Sequence, residues 1–342
     1  MKIYKRRHVI SLYICILCIF ILARYTGAHF YKAYVGVSAD AEKKYIKWID
    51  FDVTSQALTD AVRFDVESYD GESHVNHVTL LSLLAVKYGG SFKGYKKADM
   101  QKLYDALRDG KKPEELTKNT KLLNYYLEAY SAVLDGFVGE YGVRKNNSED
   151  GLFYEKRYGL KAFSPIAAGY YYEDYDDFGA PRSFGYKRAH LGHDMLGSVG
   201  TPIVAVEGGY VEACGWNRFG GWRIGIRSLD GKRYYYYAHL RKGHPFNDMY
   251  EGKLVEAGEV IGYLGMTGYS SKEDTNNINV PHLHFGLQII FDPSQKDGVN
   301  QIWIDAYELT KFLSANRSEV VFDKQSGEFS RKNPIIDLSI PD

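Results

Sequence analysis

The sequence predicts a multi-domain α + β chain: an N-terminal membrane segment, a small all-α helical domain, then a mainly antiparallel β domain. Three observations carry this prediction. Basic residues lead into an apolar run at the very start. Between about residues 55 and 134, apolar residues recur at helical spacing. From about Ser164 the texture changes to short β-branched and aromatic runs punctuated by glycine. The expected divisions are a basic stub and membrane or signal segment over 1–39, helices over 40–140, a linker over 141–160, the β domain over 161–312 and a tail over 313–342.

The start, "MKIYKRRHVISLYICILCIFILARYTGAHF", sets the expected location. Lys2, Lys5, Arg6 and Arg7 precede an apolar run from Val9 to Ala23. That run is shorter than the ~20 residues a spanning helix needs. It fits a single-pass anchor with Tyr25 and Phe30 at the interface, the positive flank staying in the cytoplasm. A cleaved signal, cut near Ala28 or Ala39, is the alternative and would give a secreted protein. In either case the rest of the chain is extracytoplasmic, and the cytoplasmic membrane is a partner only through this segment.

Four helices are expected next. "TSQALTDAVRFDV" places Ala57, Leu58, Ala61 and Val62 on one face, and "HVTLLSLLAVKYGG" runs to a glycine stop. Met100, Leu103 and Leu107 form a third stripe, and Leu123, Tyr126, Leu127, Tyr130 and Leu134 a fourth. His74 and His77 are expected at the surface or as caps, and the protein partners of this helical part are left open. "GEYGVRKNNSEDGLFYEKRYG" is polar and glycine-bearing, as a linker would be. Beyond it lie strand-like runs, with Asp230-Gly231 as a hairpin signal. "DAYELTKFLSA" predicts a last helix, and the final residues are weakly patterned.

Composition excludes some functions. Lysine plus arginine (43) balance aspartate plus glutamate (43), so nothing asks for nucleic acid. Of three cysteines, Cys15 and Cys18 lie in the apolar run, which leaves Cys214 without a partner for an intrachain disulfide. Any metal site must therefore come from histidine and carboxylate. Six of the ten histidines fall between residues 190 and 284.

In "NVPHLHFGLQII", strand alternation puts His282 and His284 on one face and Leu283 on the other. Upstream, "RAHLGHDMLG" offers His190 and Asp194, where Gly192 argues against a helix. His190, Asp194 and one of the paired histidines make a two-histidine, one-carboxylate set. Zinc suits it, with one position left open for water. Non-haem iron takes the same ligand types, and an exported chain favours zinc. His239 closes the strand "YYYYAHL". His193 and His244 are read as supporting or solvent-facing residues.

H-x-G-x-D (His190, Gly192, Asp194), Y-A-H-L (Tyr237 to Leu240) and P-H-L-H-F (Pro281 to Phe285), in that order, resemble the M23 metallopeptidases of the lysostaphin or LytM type. The resemblance covers roughly residues 160–312. It implies a LytM-like β domain with one Zn²⁺ on His190, Asp194 and His284, and with His239 and His282 acting on the reaction. It also implies an endopeptidase acting on peptidoglycan stem peptides or cross-bridges. The alternative is a non-catalytic scaffold of the same fold, a regulator of cell-wall hydrolases or a sporulation-complex component. Such members usually lack a zinc residue, and none is lacking here. No H-E-x-x-H is present, so an imidazole is the remaining general base. Trp216, Asn217 and Tyr237 are candidate substrate-binding residues, with packing as the other reading of Tyr237. Phe219, Trp222 and the "YYYEDY" segment are further candidates for the groove wall. "SKEDTNNINV" lengthens the connection before the last motif and is expected to hang beside the site.

Overall fold

The computed structural model describes residues 45–144, 154–183, 187–296 and 300–338. The expected membrane segment lies outside the described residues. Among those described, no helix is long and apolar enough to cross a membrane. The chain separates into two units, 1–50 and 51–342. The described residues of the first, 45–50, form no helix or strand, and the rest of this account concerns the second.

Three of the four helices expected before the β domain start at a side-chain cap. Helix α1 (Ser55–Ser68) starts with the Thr54 side chain accepting from the Ala57 amide, and α2 (His77–Tyr88) with Asn76 accepting from Val78. Gly89, at φ +66°, ends α2 in the left-handed conformation that glycine adopts without cost. Helices α3 (Lys97–Arg108) and α4 (Thr120–Leu134) follow, the latter capped by Asn119. Their apolar stripes meet: Leu58, Leu80, Leu84, Met100, Leu123 and Tyr130 are all fully buried.

His74 lies at the surface, as expected, whereas His77 is buried. Both clamp Asp65, whose carboxylate is fully buried at the end of α1. Its Oδ1 accepts from His74 Nε2 and Tyr158 OH, each at 2.7 Å. Its Oδ2 accepts from His77 Nδ1 at 2.6 Å and the His77 amide at 2.8 Å. A buried carboxylate is costly without such donors, and that cost draws the His77 ring inward while His74 reaches Asp65 from the surface. Burial alone would raise the Asp65 pKa, but the His77 bonds, then His74, pull it down to about 2. Against its ordinary value of 3.8, this contributes about 2 kcal/mol of stability. The contribution is complete above about pH 4 and is lost as pH falls through about 2. Denaturant midpoints measured across that window should drop in the parent chain, and this component should be absent in Asp65→Asn.

The β part is built around one antiparallel sheet. Its strand order is β11 (Leu254–Val255), β8 (Gly209–Asn217), β9 (Gly221–Ser228), β10 (Arg233–Ala238), β13 (His282–Ile289), β6 (His193–Gly197) and β3 (Tyr172–Tyr175). β14 (Ile302–Ile304) pairs with the second half of β13. β7 (Pro202–Val204) pairs with β12 (Val260–Tyr263), β4 (Pro181–Arg182) with β5 (Arg188–Ala189), and β15 (Val320–Asp323) with β16 (Glu328–Arg331). The predicted last helix is α5 (Tyr307–Leu313). Asp230-Gly231 turns β9 into β10, with Gly231 at φ +74°.

Alternation divides the central sheet into two faces. Ile224 and Ile226 of β9, Tyr235 and Tyr237 of β10, and Leu283, Phe285, Leu287 and Ile289 of β13 are buried on the core face. The intervening residues point into a groove on the other face. The four tyrosines of β10 are thereby split, two to the core and two to the groove.

Residues 141–160, read as a linker, hold most of β1 (Val138–Arg144) and β2 (Tyr154–Leu160), which pair with each other. From the tail, β17 (Ile335–Asp337) pairs with β1, and the buried Lys161–Asp337 ion pair (2.7 Å) holds it there. The helices and the sheet share one compact unit. Arg233, 1% exposed, is one buried tie between them. It grips Glu207 through Nε (2.7 Å) and Nη2 (3.0 Å) and donates through Nη1 to the Ala132 carbonyl in the last turn of α4 (2.9 Å). That carbonyl is one that the helix cannot satisfy internally, so a cation there complements the helix end.

Candidate active site

The register of β6 against β13 sets His284 directly opposite Asp194. Cross-strand neighbours on one face lie about 5 Å apart, so the pairing alone brings these side chains together. His190 arrives from the turn after β5. Its Nε2 lies 2.7 Å from His284 Nδ1 and 3.1 Å from Asp194 Oδ1, and His284 Nδ1 lies 3.2 Å from the same oxygen. One ligand atom from each of the three falls within 4.8 Å of the others. A tetrahedral ion with bonds of 2.0–2.1 Å needs donors about 3.3 Å apart, so the spacing fits such an ion. The donor chemistry fits as well. His190 Nδ1 lies 3.2 Å from the Asp177 carbonyl, and a proton on Nδ1 leaves a lone pair on Nε2 facing His284.

Gly192, the middle residue of H-x-G-x-D, has a steric reason. A Cβ there would sit 2.4 Å from His284 Cε1 and 2.9 Å from the Phe285 carbonyl oxygen. Any side chain would displace the ring. Burial alone would raise the Asp194 pKa, but hydrogen bonds from His190 and His284 hold it far below the carboxylate range. Burial pushes the His284 pKa down, as it does more strongly for His239, where His282 and His284 add to the effect.

His239 and His282 stand beside this set. Their ring centroids are 4.8 Å apart, and His239 is 5.9 Å from His284. His239 Nδ1 lies 2.8 Å from the Thr267 carbonyl, and His282 Nδ1 lies 2.8 Å from the Val280 carbonyl. Each carbonyl accepts a proton from Nδ1, so each neutral ring keeps Nε2 as an acceptor. His239 sits at φ +62°, outside the regular strand conformation. A non-glycine residue held there costs energy that the surroundings must supply.

The candidate wall residues divide differently. Tyr237 is fully buried, and its hydroxyl accepts from the Val206 amide at 2.9 Å. It presents no surface to a ligand, because alternation turns it to the core. Tyr236 faces the groove instead and packs edge-on against His284. Asn217 lies behind the groove: it accepts from the Phe219 and Gly220 amides and donates to the Tyr236 hydroxyl at 3.1 Å. Trp216 packs edge-on against Trp222 and is not among the lining residues, whereas Phe219 is. Of the "YYYEDY" segment, Tyr171 and Tyr175 are exposed away from the groove. The groove has a volume of about 580 Å³.

His193 points away from the centre: it is buried against the Tyr175 carbonyl and Asp174. His244 is half exposed and pairs with Glu328. The long connection reaches the site, with Asn277, Ile278 and Asn279 lining the groove. Asp274 holds it in place by accepting from Trp222 Nε1 and the Gly243 amide, each at 2.8 Å.

Two further residues enter that sequence reasoning did not single out. Asp177 Oδ2 lies 3.2 Å from His190 Nδ1, and Arg182 spans Asp177 (2.5 Å) and Asp194 Oδ2 (3.0 Å). They orient the candidate ligands from outside. Both come from "DYDDFGAPRS", which has no periodicity, so only the folded turn reveals them.

Residues 188–300 match the family model described as peptidase family M23. An L-Ala–D-Glu endopeptidase of Bacillus subtilis (strain 168) is 41% identical over 126 residues, 36% of this chain and 36% of its own length. A peptidoglycan DD-endopeptidase, ShyC, of Vibrio cholerae is 35% identical over 101 residues, 30% of this chain and 20% of its own. The chain thus spans about a third or less of these curated relatives. A solved structure from Ruminococcus gnavus ATCC 29149, described as a candidate glycyl-glycine endopeptidase lytM, superposes with a TM-score of 0.51. It covers 86% of this chain and 99% of that one at 20% identity, which is a likeness of fold. All three motifs of the resemblance lie inside residues 188–300, the segment that matches the peptidase family M23 model.

Proposed function

We propose that this groove is the active site of a zinc endopeptidase that hydrolyses peptide cross-links of bacterial peptidoglycan. One observation carries the reading: three donor atoms within 4.8 Å beside two imidazoles whose Nε2 atoms remain free to take a proton. His190, Asp194 and His284 would hold one Zn²⁺. Bound there, zinc supplies Lewis acidity, polarising a scissile carbonyl and making water nucleophilic near neutral pH. His239 and His282 accept the proton that water loses, or steady the oxyanion that forms at the attacked carbonyl. Arg182 and Asp177 keep Asp194 and His190 in register. The relatives' names favour peptidoglycan as the substrate. In this proposal the N-terminal segment anchors the chain in the cytoplasmic membrane, with the groove outside.

Purified sacculi incubated with the zinc-loaded protein should release soluble muropeptides identifiable by mass spectrometry. Asp194→Ala should release none and should contain less than one zinc per chain. Intact sacculi after incubation with fully zinc-loaded parent protein would refute the proposal.

A further inference from the structure

The groove extends along the sheet beyond the candidate metal centre. Its lining includes five basic side chains, Arg182, Arg188, Arg223, Arg227 and Lys296, against two carboxylates, Asp194 and Glu212. Most of this charge is already used. Arg182 pairs with Asp194 and Asp177. Arg227 holds Glu212 through Nε (2.8 Å) and Nη2 (3.1 Å), and Lys296 reaches the same Glu212 at 2.9 Å.

Arg223 is different. Among the described residues no carboxylate lies within ion-pairing distance of it, and its Nη1 is shielded from solvent without a hydrogen-bond partner. Yet Arg223 is only partly buried and lines the groove. A partly exposed guanidinium with no carboxylate beside it and one nitrogen left without an acceptor is a place for an anion to bind from the groove.

The register says where that anion would sit. Asp194 faces His284, and His284 faces Ala238. The β10–β9 pairing ends with Tyr237 against Ile224, which leaves the next residues, Ala238 and Arg223, on adjacent strands, and Arg223 faces Gly215. Asp194, His284, Ala238, Arg223 and Gly215 thus form one row across the sheet, all on the groove face. Strands lie about 4.8 Å apart, so Arg223 starts about 10 Å from His284. Ala238, Gly220 and the Tyr236 ring, which packs on His284, form the wall between them. Beside it, Gly225 makes room for the Tyr234 ring, whose hydroxyl lies 1.9 Å from where a Cβ would be. An extended peptide advances about 3.3 Å per residue. A group bound at Arg223 is therefore within about three residues of a bond attacked at the centre.

We infer that Arg223 binds a carboxylate carried by the substrate peptide, so that the site selects an acidic segment beside the scissile bond over a run of uncharged residues. This rests on the hydrolytic reading above and specifies its substrate class: a stem peptide with a free carboxylate rather than a glycine bridge.

The test uses the zinc-loaded full chain with two synthetic peptides, L-Ala-γ-D-Glu-L-Lys with its α-carboxylate free, and the same peptide amidated there. Affinity is read by calorimetry in the cold and cleavage by chromatography. The parent protein should bind the free form roughly 10- to 100-fold more tightly than the amide, the range of a charge-assisted hydrogen bond. Arg223→Gln should erase that preference, and Arg223→Lys should restore part of it. Equal affinity for both forms in the parent protein, binding of neither, or a preference that survives in Arg223→Gln, would each overturn the inference. A preference for the free form without any cleavage would support it while removing the hydrolytic reading. Cleavage of both forms without preference would do the reverse.

Discussion

His239→Ala and His282→Ala should each lower peptidoglycan hydrolysis by about 10²- to 10⁴-fold, the range for loss of a positioned general base or acid. Metal analysis should still find one zinc per chain in both. His284→Ala should lose the metal and the activity together, because it removes a donor that touches both His190 and Asp194. The contrast matters because His282 and His284 are two residues apart on one strand face, and His282 Nε2 is itself only 3.7 Å from Asp194 Oδ1. Distance alone does not separate their jobs. The division rests on His284 Nδ1 meeting both other donors, while His282 spends its Nδ1 proton on the Val280 carbonyl. Zinc lost from the His282 variant and kept in the His284 variant would reverse the assignment.

Arg233→Ala should destabilise the fold by about 3–5 kcal/mol, the usual consequence of removing one partner of a buried ion pair. Glu207 would be left as a buried carboxylate, with only the Tyr235 hydroxyl (2.5 Å) to compensate it. Glu207 packs directly on Gly136, where a Cβ would meet its Oε1 at 1.8 Å, so the carboxylate has little room on that side. The Ala132 carbonyl at the end of α4 would also lose its donor. Paired replacement, Arg233→Met with Glu207→Leu, should cost much less, because no charge is stranded. Chemical denaturation with unchanged slope would read both effects. A loss below about 1 kcal/mol in Arg233→Ala would show that water reaches Glu207.

The parts legible in sequence were those governed by local periodicity or by motif. The helices of residues 55–134 carry caps and stripes within a dozen residues of one another, and the hairpin at Asp230-Gly231 needs only its own turn. The centre was legible because strand alternation and three short motifs name its histidines. What stayed hidden depends on contacts distant in sequence. β17 finds β1 almost 200 positions away, and its residues carry no pattern that announces a partner. Arg233 reads as a polar residue at a strand start until α4 arrives beside it. His77 looks like a helix-start residue, and only Asp65, turned inward from α1, explains its burial. Of the two readings of Tyr237, packing holds and substrate binding does not: His239 leaves the strand at positive φ and breaks the alternation that would have put both on one side.

The tether at Asp274 bears on how a polymer can enter. With its carboxylate fastened both to an indole of the sheet and to a main-chain amide beyond the neighbouring strand, the inserted segment is a fixed rim. An open groove beside a tethered rim takes its guest from the side, as a cord is laid in a slot. A strand of a mesh, which has no free end to thread, can enter in no other way.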